Sequence, residues 1–125
     1  MLNLPSLGEM DRGVACRIYL CTQPTDMRKG FDTLAAMVKD HLRCDPFSRD
    51  LFLFVGRNKD RLKILYWDAD GYALWYKRLE EGTFRLPSMK ASGSRVELKA
   101  SELAMLLEGI DLVSIKRRKR FSKPT

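Results

Sequence analysis

The chain has 125 residues, 45% hydrophobic and 31% charged, with 23 Lys and Arg against 16 Asp and Glu for a formal net charge of +7. This is the length of one domain and the composition of a globular protein, which excludes wholesale disorder and a second domain of ordinary size. The longest apolar runs, such as residues 51–55 (LFLFV), fall far short of the roughly 20 residues a membrane helix needs, and no apolar stretch of signal-peptide type opens the chain, so the expected location is the cytoplasm.

Residues 1–13, interrupted by Pro5, Gly8 and Gly13, show no periodicity and read as a loose leader. Residues 15–21 (ACRIYLC) form a β-rich run that stops before Pro24, the expected first strand. Thr25 or Asp26 can cap a helix whose apolar stripe is Phe31, Leu34, Ala35, Val38 and Leu42. Residues 44–48 (CDPFS) end it, since the residue before a proline avoids helical geometry. Residues 51–55 are apolar on both pleat faces, as suits a strand covered on both sides. Residues 61–67 and 72–79 flank Asp68, Ala69, Asp70 and Gly71, a strong hairpin signal. A loop is expected over residues 88–94 and a last strand over residues 95–99. Ser101 can then cap a second helix with Leu103, Leu106, Leu107 and Ile110 on one stripe. The expectation is an α+β fold: a mostly antiparallel sheet of four to five strands with two helices packed on one face, ending in a basic tail. The domain spans residues 14–113 and the tail residues 114–125.

Six of the bases stand within residues 116–123 (Lys116, Arg117, Arg118, Lys119, Arg120 and Lys123), leaving 17 bases against 16 acids in the rest. The excess is thus a tail, of the kind that serves as an arm for a polyanion or as a solubilising terminus. A two-residue hairpin loop at Asp70 and Gly71 pairs Trp67 with Leu74, and a four-residue loop pairs it with Tyr72. Either way Leu62, Ile64, Tyr66, Ala73, Trp75 and Leu79 share one face, a credible core. The other face carries Arg61, Lys63, Leu65 and Trp67 with Tyr72, Leu74, Tyr76 and Arg78. Interleaved bases and aromatics can hold nucleic acid, the rings stacking bases while the cations follow the backbone. Alternatively a helix covers this face and the cationic heads snorkel out at its rim. Arg28 and Lys29 in the first turn of a helix oppose its dipole, and with free backbone N–H groups they would make a phosphate seat. The competing reading pairs Arg28 with Asp32.

Nothing points to catalysis. His41 lies alone, Asp68 and Asp70 are explained by the turn, and no phosphate loop, zinc cluster or activated nucleophile is present. Cys16, Cys21 and Cys44 lack CxxC spacing and read as reduced thiols. No metal, cofactor or small-molecule ligand is expected.

Several strings, in order, resemble the TnpB accessory proteins of the insertion-sequence family sixty-six. They are PTDMRKGFD (24–32), DPFS (45–48), GRNKDRLKILYWDADG (56–71), KRLEEGTF (77–84), ELAMLLEGID (102–111) and KRRKRF (116–121), a resemblance over roughly residues 15–121. It implies a helper of a separate, larger transposase, with no catalytic residue to carry over. The expected nucleic-acid contacts are Arg28, Lys29, Arg57, Lys59, Arg61, Lys63, Arg78 and the tail from Lys116 to Arg120, with DNA at the element's ends as the expected partner. Trp67, Tyr72 and Tyr76 are the expected contacts to the transposase. A pure protein–protein adaptor with incidental nucleic-acid binding is the competing reading, and RNA binding through the hairpin face a third.

Overall fold

A strand that is apolar at every position is at home only in the middle of a sheet covered on both sides, and residues 51–55 occupy that place. The structure is a computed structural model and describes residues 16–87 and 93–108. The elements follow as β1 (Ile18–Cys21), α1 (Phe31–Asp40), β2 (Leu51–Val55), β3 (Arg61–Asp68), β4 (Gly71–Arg78), β5 (Arg95–Leu98) and α2 (Ala100–Glu108). One five-stranded sheet has the order β4-β3-β2-β1-β5, with β2 at its centre. Three of its pairings are antiparallel, and only β1–β2 is parallel, joined by the crossover through α1. The α+β, mostly antiparallel architecture agrees with the reading of the sequence. The leader (1–13) and the basic tail (114–125) lie outside the described residues.

The helices, expected on one face, cover opposite faces. Leu34, Ala35, Val38 and Leu42 of α1 and the turn after it pack on Tyr19, Cys21, Phe52, Phe54 and Leu65. Leu103 and Leu106 of α2 pack with Phe84 on Ile18, Leu20, Leu51, Leu53 and Ile64. The physical reason lies in β1 and β2. All four residues of β1 and all five of β2 are buried, so each face of the sheet needs its own cover.

Two helix starts also differ from expectation. The N-cap of α1 is Gly30, with no side-chain cap, and Thr25 and Asp26 belong to the preceding loop. Arg28 and Lys29 therefore precede the helix instead of occupying its first turn, and Phe31, the expected start of the buried stripe, is 48% exposed. In α2 the cap position is Lys99, whose backbone N–H donates to Glu102 Oε1 at 2.8 Å, while Ser101 lies inside the helix. Glu102 reaching back to that amide is half of a capping box. Ile110 lies outside the described residues.

In the hairpin Trp67 pairs with Tyr72 and Asp68 with Gly71, the longer-loop register with one further pair formed. Leu62, Ile64, Tyr66 and Ala73 are buried on the α2 side with Trp75 and Leu79 packed against them, as the alternation requires. The opposite face is partly covered. Leu65 is fully buried, Tyr72 and Leu74 pack against the α1 cluster, and Tyr76 remains 48% exposed.

Candidate functional site

Because β1 and β2 run parallel, the loop leaving β1 and the turn leaving β2 emerge at the same end of the sheet, where β3 begins and β4 ends. Two strings far apart in sequence, residues 24–30 and 56–61, are thereby brought side by side. The Thr25 backbone N–H donates to the Val55 carbonyl at 2.9 Å, extending the pairing past the end of β2. Gly56 is where the two segments touch. A Cβ there would stand 3.0 Å from Met27 Cγ, so the Met27 side chain would have to give by a few tenths of an ångström to admit one. Between residues 24–27 and 56–61 lies a groove of about 440 Å3, with Arg57, Asn58, Asp60 and Arg61 on one wall and Asp26 on the other.

Asp26 organises the loop. Its carboxylate accepts the Arg28 backbone N–H at 2.9 Å, Nε at 3.1 Å and Nη2 at 2.7 Å, so Arg28 pairs with Asp26 and not with Asp32. The Arg28 guanidinium holds the Asp26 carboxyl well below the usual carboxylate range. From beneath, the Lys63 ammonium donates to the carbonyls of Met27 at 2.6 Å and Lys29 at 2.8 Å and lies 4.7 Å from the centre of the Tyr76 ring. Lys63 was expected to face a polyanion, yet it is only 6% exposed. Those acceptors leave it no contact with an outside ligand, and it supports the loop instead. Burial pushes its ammonium down and the charge of Asp26 works against that shift. The loop then delivers the chain to Gly30 and to the uncapped start of α1, whose first amides have no partner within the helix.

The remaining predicted cations divide in two. Arg28 and Arg78 are exposed but paired, Arg78 with Glu80 at 2.9 Å. Lys29, Arg57, Lys59 and Arg61 make no ion pair with a described residue. Two of the positions break local rules. Arg61 stands directly across the ladder from Arg78, a like-charge pairing that a hairpin ordinarily avoids. Lys59 has φ +60, a conformation that favours glycine. The turn is nonetheless well fixed, with the Lys59 N–H on the Gly56 carbonyl and the Phe84 N–H on the Lys59 carbonyl. The predicted tail contacts Lys116, Arg117, Arg118, Lys119 and Arg120 lie outside the described residues.

The expected partner contacts stand elsewhere. Trp67 and Tyr72 are half-buried at the opposite end of the sheet, beside the hairpin turn, whereas Tyr76 lies near the cationic end, over Lys63. Sequence reasoning missed Phe47, which is 59% exposed, stacks on Tyr72 at 5.7 Å and meets Trp67 edge-on at 5.1 Å. Its signal was an aromatic inside a turn-forming DPFS string. Burial pushes the Cys16, Cys21 and Cys44 thiols up, and all three are free of disulfides. Among the described residues no cluster of His, Cys, Asp and Glu is arranged to hold a metal ion, and no helix is long and apolar enough to cross a membrane.

Known proteins resemble this chain over most of its length. The family described as "IS66 Orf2 like protein" matches residues 16–117. Two proteins of Sinorhizobium fredii are similar: uncharacterized protein y4jC, 38% identical over 87% of this chain and 91% of its own length, and uncharacterized protein y4hO, 39% identical over 79% and 84%. No solved structure matches the chain.

Proposed function

The chain belongs to the IS66 Orf2-like family of insertion-sequence accessory proteins, and on that premise we propose that it assists transposition without catalysing it, by holding DNA backbone at the cationic end of its sheet. One observation carries this reading. Lys29, Arg57, Lys59 and Arg61 stand on the two segments that meet beside the uncapped helix start, in no ion pair with a described residue, and two of these positions carry a base against local preference. Rules broken at one place are a mark of function. Phosphate contacts from Arg, Lys and backbone N–H groups position a protein on a duplex without reading its sequence, so modest sequence preference follows for this protein alone. The basic tail, Lys116 to Arg120, acts as a further arm on the backbone, and the element's ends are the DNA it serves.

A second reading makes the protein an adaptor for the element's transposase. The aromatic group of exposed Phe47 with half-buried Trp67 and Tyr72 favours it, since such rings anchor protein interfaces. The two readings are compatible, because the aromatic group and the cations occupy different ends of the sheet.

Fluorescence anisotropy with element-end and scrambled duplexes across a salt series tests the first. Each neutralised phosphate adds about 0.9 to the log–log salt slope. Replacing Arg57, Lys59 and Arg61 by Gln should flatten the slope by up to about three units, and ending the chain at Ile115 by up to about five. Equal slopes for all three proteins would remove the DNA reading. Co-purification with the transposase from nuclease-treated extract would then establish the adaptor.

A further inference from the structure

The sheet has two outer strands, and only one of them is protected against pairing. β5 is four residues long and alternates the charged Arg95 and Glu97 with Val96 and Leu98, which blunts its edge. β4 is twice that length, contains no proline, and pairs with β3 at every residue without a bulge. Its first six residues (GYALWY) carry no charge. The Leu79 N–H donates to the Asp60 carbonyl at 2.7 Å, so by the alternation of an antiparallel ladder Ala73, Trp75 and Lys77 bond to β3. Tyr72, Leu74, Tyr76 and Arg78 then turn their backbone N–H and C=O groups outward, and among the described residues no strand takes them up.

The same strand is complementary to itself in the antiparallel sense, because its two ends differ in charge. Asp68 and Asp70, both exposed, stand at the hairpin turn, and Lys77 and Arg78 close the strand. Glu80 pairs with Arg78, but Arg61 lies across the ladder from it and keeps that end basic. A second β4 running antiparallel about a twofold axis at Leu74 brings the acidic end of each copy beside the basic end of the other. It also sets Leu74 against Leu74, Tyr72 against Tyr76 and the small Ala73 against Trp75. Aromatic pairs and opposite charges are favourable combinations across such a ladder. Tyr72, Leu74 and Trp75 are each half-buried in the single chain, so the pairing covers apolar surface that is still open.

We infer that the outer edge of β4 is the contact between two copies of this chain, joined antiparallel through Tyr72, Leu74, Tyr76 and Arg78 into one continuous sheet. Such edge addition draws affinity from main-chain hydrogen bonds and specificity from the side chains at alternate positions. The head-to-tail charge match, which β4 itself supplies, favours a second copy over an unrelated strand. The twofold axis places the cationic ends of the two copies at opposite ends of the joined sheet. On the DNA reading the dimer thus holds two backbone segments, and the dimer itself does not depend on that reading.

Sedimentation equilibrium without DNA, combined with amide hydrogen exchange, tests the contact. The full-length protein should be a dimer at high concentration. The amides of Tyr72, Leu74 and Tyr76 should exchange slowly there and fast after dilution to monomer. A protein that stays monomeric would overturn the inference. So would a dimer in which these amides remain fast, since another surface would then join the copies. Slow exchange that dilution leaves unchanged would also overturn it, because the edge would be covered within one molecule. Lys77→Glu with Arg78→Glu, and Asp68→Lys with Asp70→Lys, should each weaken the dimer about tenfold or more through like charges across the ladder. An equimolar mixture of the two variants should regain the natural strength, because the heterodimer restores both charge matches. Failure of mixing to restore it would overturn the antiparallel pairing. Dimerisation as expected with no DNA binding by any of these proteins would remove the DNA reading and leave the contact in place.

Discussion

Lys63 stands on β3 with apolar neighbours before and after it and, among the described residues, with no carboxylate in hydrogen-bonding reach. Its charge is satisfied by the Met27 and Lys29 carbonyls and by the Tyr76 ring. Such an ammonium fixes the loop that it underlies. Lys63→Met keeps the apolar stem but leaves two carbonyls without their donor, so a loss of about 1–3 kcal/mol is expected in urea unfolding. An unchanged midpoint would mean that water replaces the ammonium at no cost. Ala69 in the β3–β4 turn has φ +57, a conformation that costs an L-residue roughly 1–2 kcal/mol. Ala69→Gly relieves this and gives back part of the gain through the freer unfolded chain. A net stabilisation of about 0.5–1 kcal/mol is expected in the same measurement.

At the scale of elements, the loop from β1 to α1 is held by one carboxylate as well as by Lys63. Asp26 titrates below its unfolded value because of Arg28. The unfolded chain therefore takes up its proton first as the pH falls, and the stabilisation present above about pH 4 is lost on acidification below that. The urea midpoint of Asp26→Asn should fall less between pH 5 and pH 3 than that of the natural protein, and parallel acid limbs would show that the pair contributes nothing. This loop also marks where sequence reasoning stops. The strands and the two faces of the hairpin were legible because period-two alternation and turn chemistry are local, whereas the choice of Tyr72 over Leu74 as the partner of Trp67 was not. The helix start was misplaced because Asp26, a good cap by type, is engaged by Arg28 two residues on. The role of Lys63 was hidden because its acceptors lie 36 and 34 residues away, and a lysine in an alternating strand reads as exposed. The groove at residues 24–27 and 56–61 depends on a parallel pairing that no local pattern announces.

For the whole molecule, one sheet separates two apolar layers that share no side chain. Val38 and Leu103 are nearly or fully buried on opposite sides. Val38→Ala should cost about 1.5–3 kcal/mol and Leu103→Ala about 2–5 kcal/mol. Their effects should add within about 0.5 kcal/mol in a double-mutant cycle, and a larger coupling would mean that the strands transmit strain between layers. The predicted contacts are distributed along the other axis, with Arg57, Lys59 and Arg61 at one end of the sheet and the rings of Phe47, Trp67 and Tyr72 at the other. Tertiary structure was needed to see this, because Phe47 meets Trp67 and Tyr72 only through the fold.

The strand order has a consequence for synthesis on the ribosome. β1 is made first among the strands yet lies between β2 and β5, and Ile18 finds its antiparallel partner only in Leu98. The nascent chain can close its β3–β4 hairpin early, but the flank of β1 stays bare until β5 has emerged from the exit tunnel. A product terminated prematurely before Arg95 would carry IYLC as an open edge, four apolar residues with unpaired backbone groups able to recruit another chain. Premature termination should therefore yield aggregates or proteolytic fragments instead of a smaller working protein.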